Sequence, residues 1–198
     1  MTEATKNEKK LDRRVVRTRK AIMRAYEKLL AEQDFSKITV SAISREADID
    51  RKTFYLHYAS VDDLANKKAE SNLMQILEVL RTQGAGKSIK EQAHIALREV
   101  NAIVMRELAI YEKIASSLSI EQILDKYAST VEPALSRRGL ELPIELSPDA
   151  RMRLQFYLAG ALSLYSTWLK SDKRTPIETV SAIVEEAIAS NAFPQAAS

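Results

Sequence analysis

Eight residues at positions 51–58, RKTFYLHY, place basic, aromatic and apolar side chains next to one another. If they form a helix, with about 100° between successive residues, Phe54 and Tyr58 share one side while Lys52 and Leu56 point the opposite way. A lysine can bind a base acceptor or a phosphate, and a leucine can contact a thymine methyl group. A helix that faced only water would leave Leu56 without a partner. The pattern therefore favours a surface that reads DNA.

The neighbours of Lys52 and Leu56 complete this candidate surface. Thr53 lies beside them and offers a methyl group to thymine. Tyr55 and His57 lie on the two flanks, where each can hydrogen-bond a phosphate oxygen. Phosphate contacts fix the position of a protein on DNA, and contacts with base edges supply the sequence preference. We expect these five side chains to provide both kinds of contact.

Positive charge is concentrated in the N-terminal part of the chain. Residues 1–24 carry nine basic and three acidic side chains, a net charge of +6, whereas residues 59–198 have a net charge of −2. A basic segment can be merely a solubilising tail, but its position beside the candidate surface favours phosphate binding. An architectural protein without sequence preference would spread its basic charge over the whole chain. We expect residues 1–13 to form a flexible basic arm, and Arg17 and Arg51 to contact DNA.

The chain around this surface predicts two short helices joined by a tight turn. Thr39 can cap the first helix and Asp50 the second, because a side-chain oxygen at that position accepts a backbone N–H of the first helical turn. Asp48 lies in the turn between them. The arrangement is a helix-turn-helix over about residues 39–58, within a three-helix domain predicted at residues 14–60.

The composition as a whole indicates an all-α protein. Of the 198 residues, 45% are hydrophobic, and only 4 glycines and 5 prolines are available to break helices. No segment of useful length alternates with the period of a β-strand. Pairs with capping-box spacing, such as Ser88 with Glu91 and Ser119 with Gln122, mark further helix starts. We expect about nine helices, with residues 61–198 forming a second domain that is a helical bundle.

Residues suited to catalysis or to metal binding are scarce. The chain has no cysteine and only two histidines, His57 and His94, and it lacks a glycine-rich phosphate loop. We predict no catalytic residue, no metal site and no cofactor, and a small helical enzyme or carrier is the disfavoured alternative. No apolar run approaches the ~20 residues of a membrane span, and no secretory signal is recognisable. We therefore expect a cytoplasmic protein without a membrane partner.

About 50 consecutive residues resemble the DNA-binding domain of the TetR/AcrR family of bacterial transcriptional regulators. The resemblance covers the stretches RTRKAIMRAYEKLL, FSKITVSAISREADI and RKTFYLHY, followed by Asp63 and Leu64. It implies that Thr39 contacts phosphate and that the RKTFYLHY helix lies in the major groove of double-stranded DNA. Two positions depart from the family pattern, since Asp48 stands where glycine is common and Val61 stands where the family often has a phosphate-contacting lysine. Aspartate tolerates the left-handed conformation better than most residues do.

The C-terminal part resembles one group of that family through the stretches FYLAGALSLYSTWLK and TPIETV. The group includes repressors, and a related regulator of dihydroxyacetone utilisation is an activator that responds to a protein co-inducer. We predict a repressor that an effector releases from its operator. A transcriptional activator or co-activator with a protein co-inducer is the alternative.

A cavity for a small-molecule effector is expected between helices of the second domain. Ligand sites in helical bundles are mostly apolar with a few polar groups, so aromatic and methionine side chains could line the cavity or simply fill the core. The candidate ligand-binding residues are His94, Asn101, Met105, Tyr111, Tyr127, Phe156 and Tyr157.

The segment from Pro148 to Lys170 is apolar on more than one side, which a monomer rarely needs. Small residues within it allow another helix to approach closely. Together with the final helix, it suggests an isologous four-helix interface in a homodimer, which would bind a near-palindromic operator. The expected interface residues are Leu158, Ala161, Leu162, Tyr165, Leu169, Val180, Val184 and Ile188.

Overall fold

A computed structural model describes residues 3–137 and 148–191, and the regular structure within these ranges is helical, with no strand. The predicted all-α fold is confirmed. No helix of the described part is long and apolar enough to cross a membrane. The elements are α1 (Glu3–Glu32), a 3₁₀ helix (Phe35–Lys37), α2 (Val40–Glu46), α3 (Arg51–Tyr55), α4 (Val61–Gln83), α5 (Ile89–Arg106), α6 (Leu108–Ser117), α7 (Ile120–Arg137), α8 (Pro148–Lys170) and α9 (Ile177–Asn191).

The chain divides into two compact units, Met1–Lys68 and Ala69–Ser198. The sequence predicts the limit between two domains at residue 60, just before α4. In the structure the limit falls within α4, whose first turns contribute to the N-terminal unit and whose remainder belongs to the C-terminal unit.

The first helix begins at Glu3, within the segment 1–13 that the sequence predicts to be a flexible basic arm. The backbone from Glu3 to Arg13 is helical and continues into the rest of α1 without a break. The physical reason lies in the composition, because this segment consists mostly of Ala, Glu, Lys, Leu and Arg and contains neither glycine nor proline. The basic residues of this region are therefore spaced along a helix.

The core of the N-terminal unit takes one large side chain from each of its four helices. Ile22 of α1, Ile43 of α2, Phe54 of α3 and Leu64 of α4 are all fully buried. Tyr26, one turn after Ile22, is buried as well, so the predicted apolar side of α1 is confirmed. Burying each such side chain stabilises the fold by about 1.5–3 kcal/mol, and together they hold the short helices α2 and α3 in place.

The core of the C-terminal unit lies between α5, α6, α8 and α9, and it includes residues that the sequence assigned to a dimer interface. Helix α8 packs on both α6 and α9 of its own chain. Its two apolar sides are thus explained in part without a partner subunit. The buried residues of this core are Val104, Ala115, Tyr165, Trp168, Leu169, Ile177, Val180 and Val184.

This burial includes half of the residues that the sequence assigns to a dimer interface. Tyr165, Leu169, Val180 and Val184 are at most 8% exposed within a single chain, so they have little surface left for a partner. Ala161 and Ile188 are partly buried and pack against the same core. Leu158 and Leu162 are also partly buried.

A buried polar network links α5, α8 and α9. The Tyr165 hydroxyl donates to Asn101 Oδ1 at 2.5 Å, and Asn101 Nδ2 donates to Ser181 Oγ at 2.9 Å. Ser181 Oγ donates in turn to the backbone carbonyl of Glu178 at 3.0 Å. Burial raises the pKa of Tyr165 to about 12. The hydroxyl therefore stays protonated and remains a donor within the core.

Two of the predicted helix starts are confirmed by reciprocal capping bonds. The Ser88 N–H donates to Glu91 Oε2 at 2.9 Å, and the Glu91 N–H donates to Ser88 Oγ at 3.3 Å. Ser119 and Gln122 exchange the same pair of bonds, at 2.9 and 3.2 Å. Each pair satisfies backbone donors that the first turn of a helix otherwise leaves free.

Candidate nucleic-acid interface

Asp50 starts the helix that carries the predicted DNA-reading residues. Its carboxylate accepts the backbone N–H of Thr53 at 2.7 Å and the Thr53 hydroxyl at 3.0 Å. The bond from the backbone N–H is the main reason that the pKa of the Asp50 carboxyl lies below its ordinary value. The predicted cap is confirmed, and it fixes the first turn of α3.

Phe54 anchors α3 and leaves the opposite side of the helix to solvent. Phe54 is 0% exposed and Tyr58 5% exposed, whereas Tyr55 is 57% and Leu56 79% exposed. The helix ends at Tyr55, earlier than the predicted end at Tyr58, but the two sides carry the expected residues. The rings of Phe54 and Tyr55 meet edge to face, with centroids 5.6 Å apart, so a buried ring supports an exposed phenol.

The other predicted contact residues of 51–58 surround this exposed side. Arg51 and Lys52 are exposed, and Thr53 and His57 are partly buried. The pKa of His57 lies below its ordinary value because of burial first and the positive charge of Arg19 second. A neutral imidazole carries one N–H, which can donate to a phosphate oxygen at neutral pH.

Asp48 gives the turn between α2 and α3 its shape. It has φ of 53°, a left-handed conformation that most residues other than glycine avoid. The Ile49 N–H donates to the carbonyl of Ser44 at 3.0 Å, which closes the turn. The expectation that Asp48 occupies a position suited to glycine is confirmed.

Thr39 caps α2 as predicted. Its Oγ1 accepts the backbone N–H of Ala42 at 3.1 Å, and the residue is exposed. Accepting this bond leaves the hydroxyl hydrogen of Thr39 available to a phosphate oxygen. The capping role and the predicted phosphate contact are therefore compatible.

Arg17 is the predicted contact residue that lies away from α3. It is exposed on the side of α1 opposite the buried Ile22 and Tyr26. There it lines a shallow depression whose described lining belongs entirely to α1. The structure does not bring Arg17 together with the exposed side of α3.

Two arginines that the sequence analysis missed lie beside the turn instead. Arg14 and Arg45 line an open groove of about 560 Å³ that also reaches Thr18, Asp48 and Thr53. Helical spacing could have identified Arg14, because Arg14 and Thr18 lie nearer than Arg17 to the side of α1 that faces the core. These two guanidinium groups are further candidates for phosphate contact.

The predicted effector-binding residues of α5 lie in three different surroundings. Asn101 is bonded within the buried network, and Met105 is 51% exposed. His94 is exposed, and its Nδ1 lies 2.9 Å from Glu185 Oε2. In the single chain Asn101 is thus bonded within the core whereas Met105 faces solvent, and their assignment to an effector site stays a prediction.

The remaining predicted effector-binding residues are also dispersed. The Tyr111 hydroxyl accepts from Asn72 Nδ2 at 3.1 Å in a partly buried position between α6 and α4. Phe156 is 73% exposed on α8, and its ring lies edge to face with that of Tyr157. The side chain of Tyr127 lies outside the described part of the structure.

The described side chains of both units contain no group of three His, Asp or Glu residues that could hold a metal ion. What the N-terminal unit does contain is a short capped helix with a tight turn before it, a buried aromatic anchor and an exposed basic and apolar side. Together these features define a helix-turn-helix DNA-binding domain.

Comparison with known proteins gives the family of this domain. The model for bacterial regulatory proteins of the tetR family matches residues 22–67. Over 74 residues the chain is 45% identical to the uncharacterized HTH-type transcriptional regulator YxbF of Bacillus subtilis (strain 168), a match that covers 37% of this chain and 20% of that protein. The N-terminal part is therefore a tetR-family DNA-binding domain, and the predicted resemblance is confirmed.

The chain spans only about a fifth of the length of this curated relative. Over most of its length its fold is similar to that of a solved structure, the fatty acid degradation regulator FadR from Bacillus halodurans. The TM-score is 0.59 over 86% of this chain and 93% of that chain, at 15% sequence identity.

Proposed function

We propose that the protein is a sequence-specific DNA-binding transcriptional regulator and that it acts as a homodimer. The exposed side of α3 is the observation that carries the proposal. Phe54 is fully buried and anchors the helix, so Tyr55 and Leu56 stay exposed to solvent, and the exposed Lys52 lies beside them. An apolar side chain kept so exposed on a basic helix is suited to the major groove, where it can contact thymine methyl groups.

The test uses an operator selected from a pool of random-sequence duplexes. Lys52→Ala and Tyr55→Ala are each expected to weaken operator binding by about 1–3 kcal/mol, or roughly 5- to 150-fold, because each removes a contact with DNA. Lys90→Ala, an exposed lysine of α5, serves as the control and should bind like wild type. Full operator affinity in both α3 variants at moderate salt would contradict the assignment of this helix.

The dimer interface is proposed on the sides of α8 and α9 that the core leaves exposed. Phe156, Gly160 and Leu164 follow one another at intervals of four residues along α8, and the two apolar residues are 73% and 38% exposed. Ile183 of α9 is 50% exposed. A row spaced at four residues forms a ridge that can pack into the groove of a second helix. An isologous pair of such surfaces would build the predicted four-helix contact.

Gly160 allows a sharp test of this surface. A Cβ atom added at Gly160 meets no other atom within 4 Å in the single chain, so a larger residue there should fit the monomer. Gly160→Leu should even favour the helix, since glycine costs a helix interior roughly 0.5–1 kcal/mol. At a close helix–helix contact the same side chain would clash. We expect the variant to be a folded monomer in sedimentation analysis. Ala102→Leu, at an exposed position of α5, is the control and should sediment as the proposed dimer.

Repression with release by a small-molecule effector is the mode of action we infer. The supporting feature is the partly buried contact of Tyr111 with Asn72 between α6 and α4, a combination of aromatic and amide groups suited to a ligand with polar and apolar parts. A reporter gene behind the selected operator tests the sign of regulation. Loss of the protein should raise transcription, whereas a fall would favour the activator with a protein co-inducer.

A further inference from the structure

One side of α1 carries a continuous row of cations. Arg13, Arg17, Lys20 and Arg24 follow at intervals of four, three and four residues, which places them on one side of the helix. All four are exposed, and they line the same depression together with the half-exposed Val16. At 1.5 Å per residue the row is about 16 Å long. We call these four residues the α1 basic stripe.

The stripe lies opposite the side of α1 that builds the core. Ile22, Ala25, Tyr26 and Leu30 are buried at 0–5% exposure, and the stripe projects about 180° from their mean direction. Phe54 of α3 enters the same core. The stripe lines a different depression from the groove that Arg14 and Thr18 share with Thr53 of α3.

The charges of the stripe have no acidic partner among the described side chains. Other cations of the same unit do have one: Lys28 Nζ lies 2.7 Å from Glu46 and Lys67 Nζ lies 3.1 Å from Asp63. No ion pair of the described residues involves Arg13, Arg17, Lys20 or Arg24. Among the described side chains, the unit thus pairs Lys28 and Lys67 with carboxylates and pairs no carboxylate with the stripe.

We propose that the α1 basic stripe binds the phosphate backbone of DNA that flanks the operator, without sequence preference and separately from α3. The choice of DNA as the partner rests on the proposed function. The two strands of a duplex together carry one phosphate charge per about 1.7 Å of axis, so a row of this length has phosphates within reach at any position along the DNA. Because no stripe residue lines the groove beside Thr53 of α3, we assign the stripe to flanking DNA and not to the base pairs that α3 reads.

An anionic lipid surface fits the stripe less well. A helix that binds a membrane surface buries a broad side of large apolar residues in the lipid, next to its basic side. Here Ile22, Tyr26 and Leu30 of α1 are buried in the protein core, and the apolar residues described in the depression are Val16 and Ala21. Phosphate contact alone matches this surface.

The experiment compares two duplexes that contain the same selected operator, one trimmed to the operator and one with long flanks of unrelated sequence. Replacing all four stripe residues by glutamine keeps good helix formers in place and removes the charge. We expect the quadruple variant to bind the trimmed duplex like wild type and the flanked duplex more weakly. On the flanked duplex, the slope of log affinity against log salt should be smaller in magnitude by up to about 3–4. Each lost phosphate contact reduces the magnitude of this slope by about 0.9.

A control variant replaces four exposed cations of other surfaces, Lys37, Lys87, Lys90 and Arg174, by glutamine. It has the same net charge as the stripe variant and should retain the flanked-duplex slope. Equal behaviour of the two variants, or an equal loss of affinity for the trimmed and flanked duplexes in the stripe variant, would overturn the inference. So would binding to phosphatidylserine vesicles that the stripe variant loses while its binding to flanked DNA stays unchanged.

The two proposals can fail separately. If wild type binds the selected operator no better than unrelated DNA, sequence-specific regulation is wrong. A reduced salt slope of the stripe variant on that unrelated DNA would still support the stripe as a phosphate-binding surface.

Discussion

The two units use their aromatic and polar side chains in opposite ways. In the N-terminal unit, Phe54 is buried so that its neighbours Tyr55 and Leu56 can remain exposed. In the C-terminal unit, Tyr165 and Asn101 are buried and bond to each other. The first arrangement keeps its functional groups available to a partner, and the second uses them for its own packing.

The difference shows where a functional surface can be inferred from a single chain. A short helix that buries one aromatic ring has a single solvent-exposed side. The groups on that side must either face water or bind a partner. In a bundle of long helices, a polar or aromatic group has several neighbours that can satisfy it. The solvent exposure of side chains on α3 therefore indicates a functional surface, whereas residue type alone on α5 and α8 does not.

The largest effect is expected from Phe54→Ala. Removing a fully buried phenylalanine side chain costs about 3–5 kcal/mol, which should unfold or loosen the N-terminal unit and abolish operator binding. Ile89→Ala is the control, because truncating an apolar side chain that is already 50% exposed leaves no cavity. Urea unfolding followed by circular dichroism and DNA binding measured by anisotropy give the two readouts. Equal destabilisation by the two variants would break the contrast between the units.

A smaller effect is expected from Tyr165→Phe. Removing the hydroxyl leaves the buried Asn101 Oδ1 without its donor, at a cost of about 1–3 kcal/mol. The oligomeric state should not change, since Tyr165 lies in the core of one chain. Tyr157→Phe, in a partly buried position on the same helix, is the control and should unfold like wild type. Dissociation of the proposed dimer by Tyr165→Phe would return this residue to the interface and contradict the assignment made from burial.

The smallest effect concerns acid and the Asp50 cap. Because the pKa of Asp50 lies below its ordinary value of 3.8 in the folded protein, its carboxylate stabilises the fold above that pH. This contribution is lost as the pH falls through the lowered folded value. Asp50→Asn keeps a capping oxygen but has no carboxyl to titrate, so its stability should fall less steeply below about pH 4. Urea midpoints measured over a series of acidic pH values test this, and parallel curves would show that the cap contributes nothing to acid sensitivity.

The N-terminal unit could be predicted because its determinants are local in sequence. Thr39 and Asp50 cap the helices they precede, and Asp48 takes the left-handed conformation that its turn position requires. Phe54 and Leu56 are two residues apart on a helix, which alone places them on different sides. None of these features depends on which distant segments of the chain pack against each other.

The C-terminal unit could not be predicted to the same depth, because its assignments depend on contacts between distant residues. Tyr165 bonds to Asn101, 64 residues away, and Asn101 bonds to Ser181, 80 residues away. Helical spacing shows that α8 is apolar on two sides, but it does not tell which side faces α6 and α9 and which stays exposed. Four predicted interface residues are therefore in the core, while Phe156, predicted to line a cavity, is at the surface.

The single tryptophan of the chain makes the C-terminal core visible to fluorescence. Trp168 is 7% exposed, and its indole Nε1 donates to the carbonyl of Thr175 at 2.7 Å. Its emission should therefore be blue-shifted in the native protein and should move to the red when water reaches this core. The N-terminal unit contains only tyrosine and phenylalanine rings, so its unfolding is silent in tryptophan emission. Intrinsic fluorescence and circular dichroism, recorded on one sample without any label, can thus separate the melting of the two units.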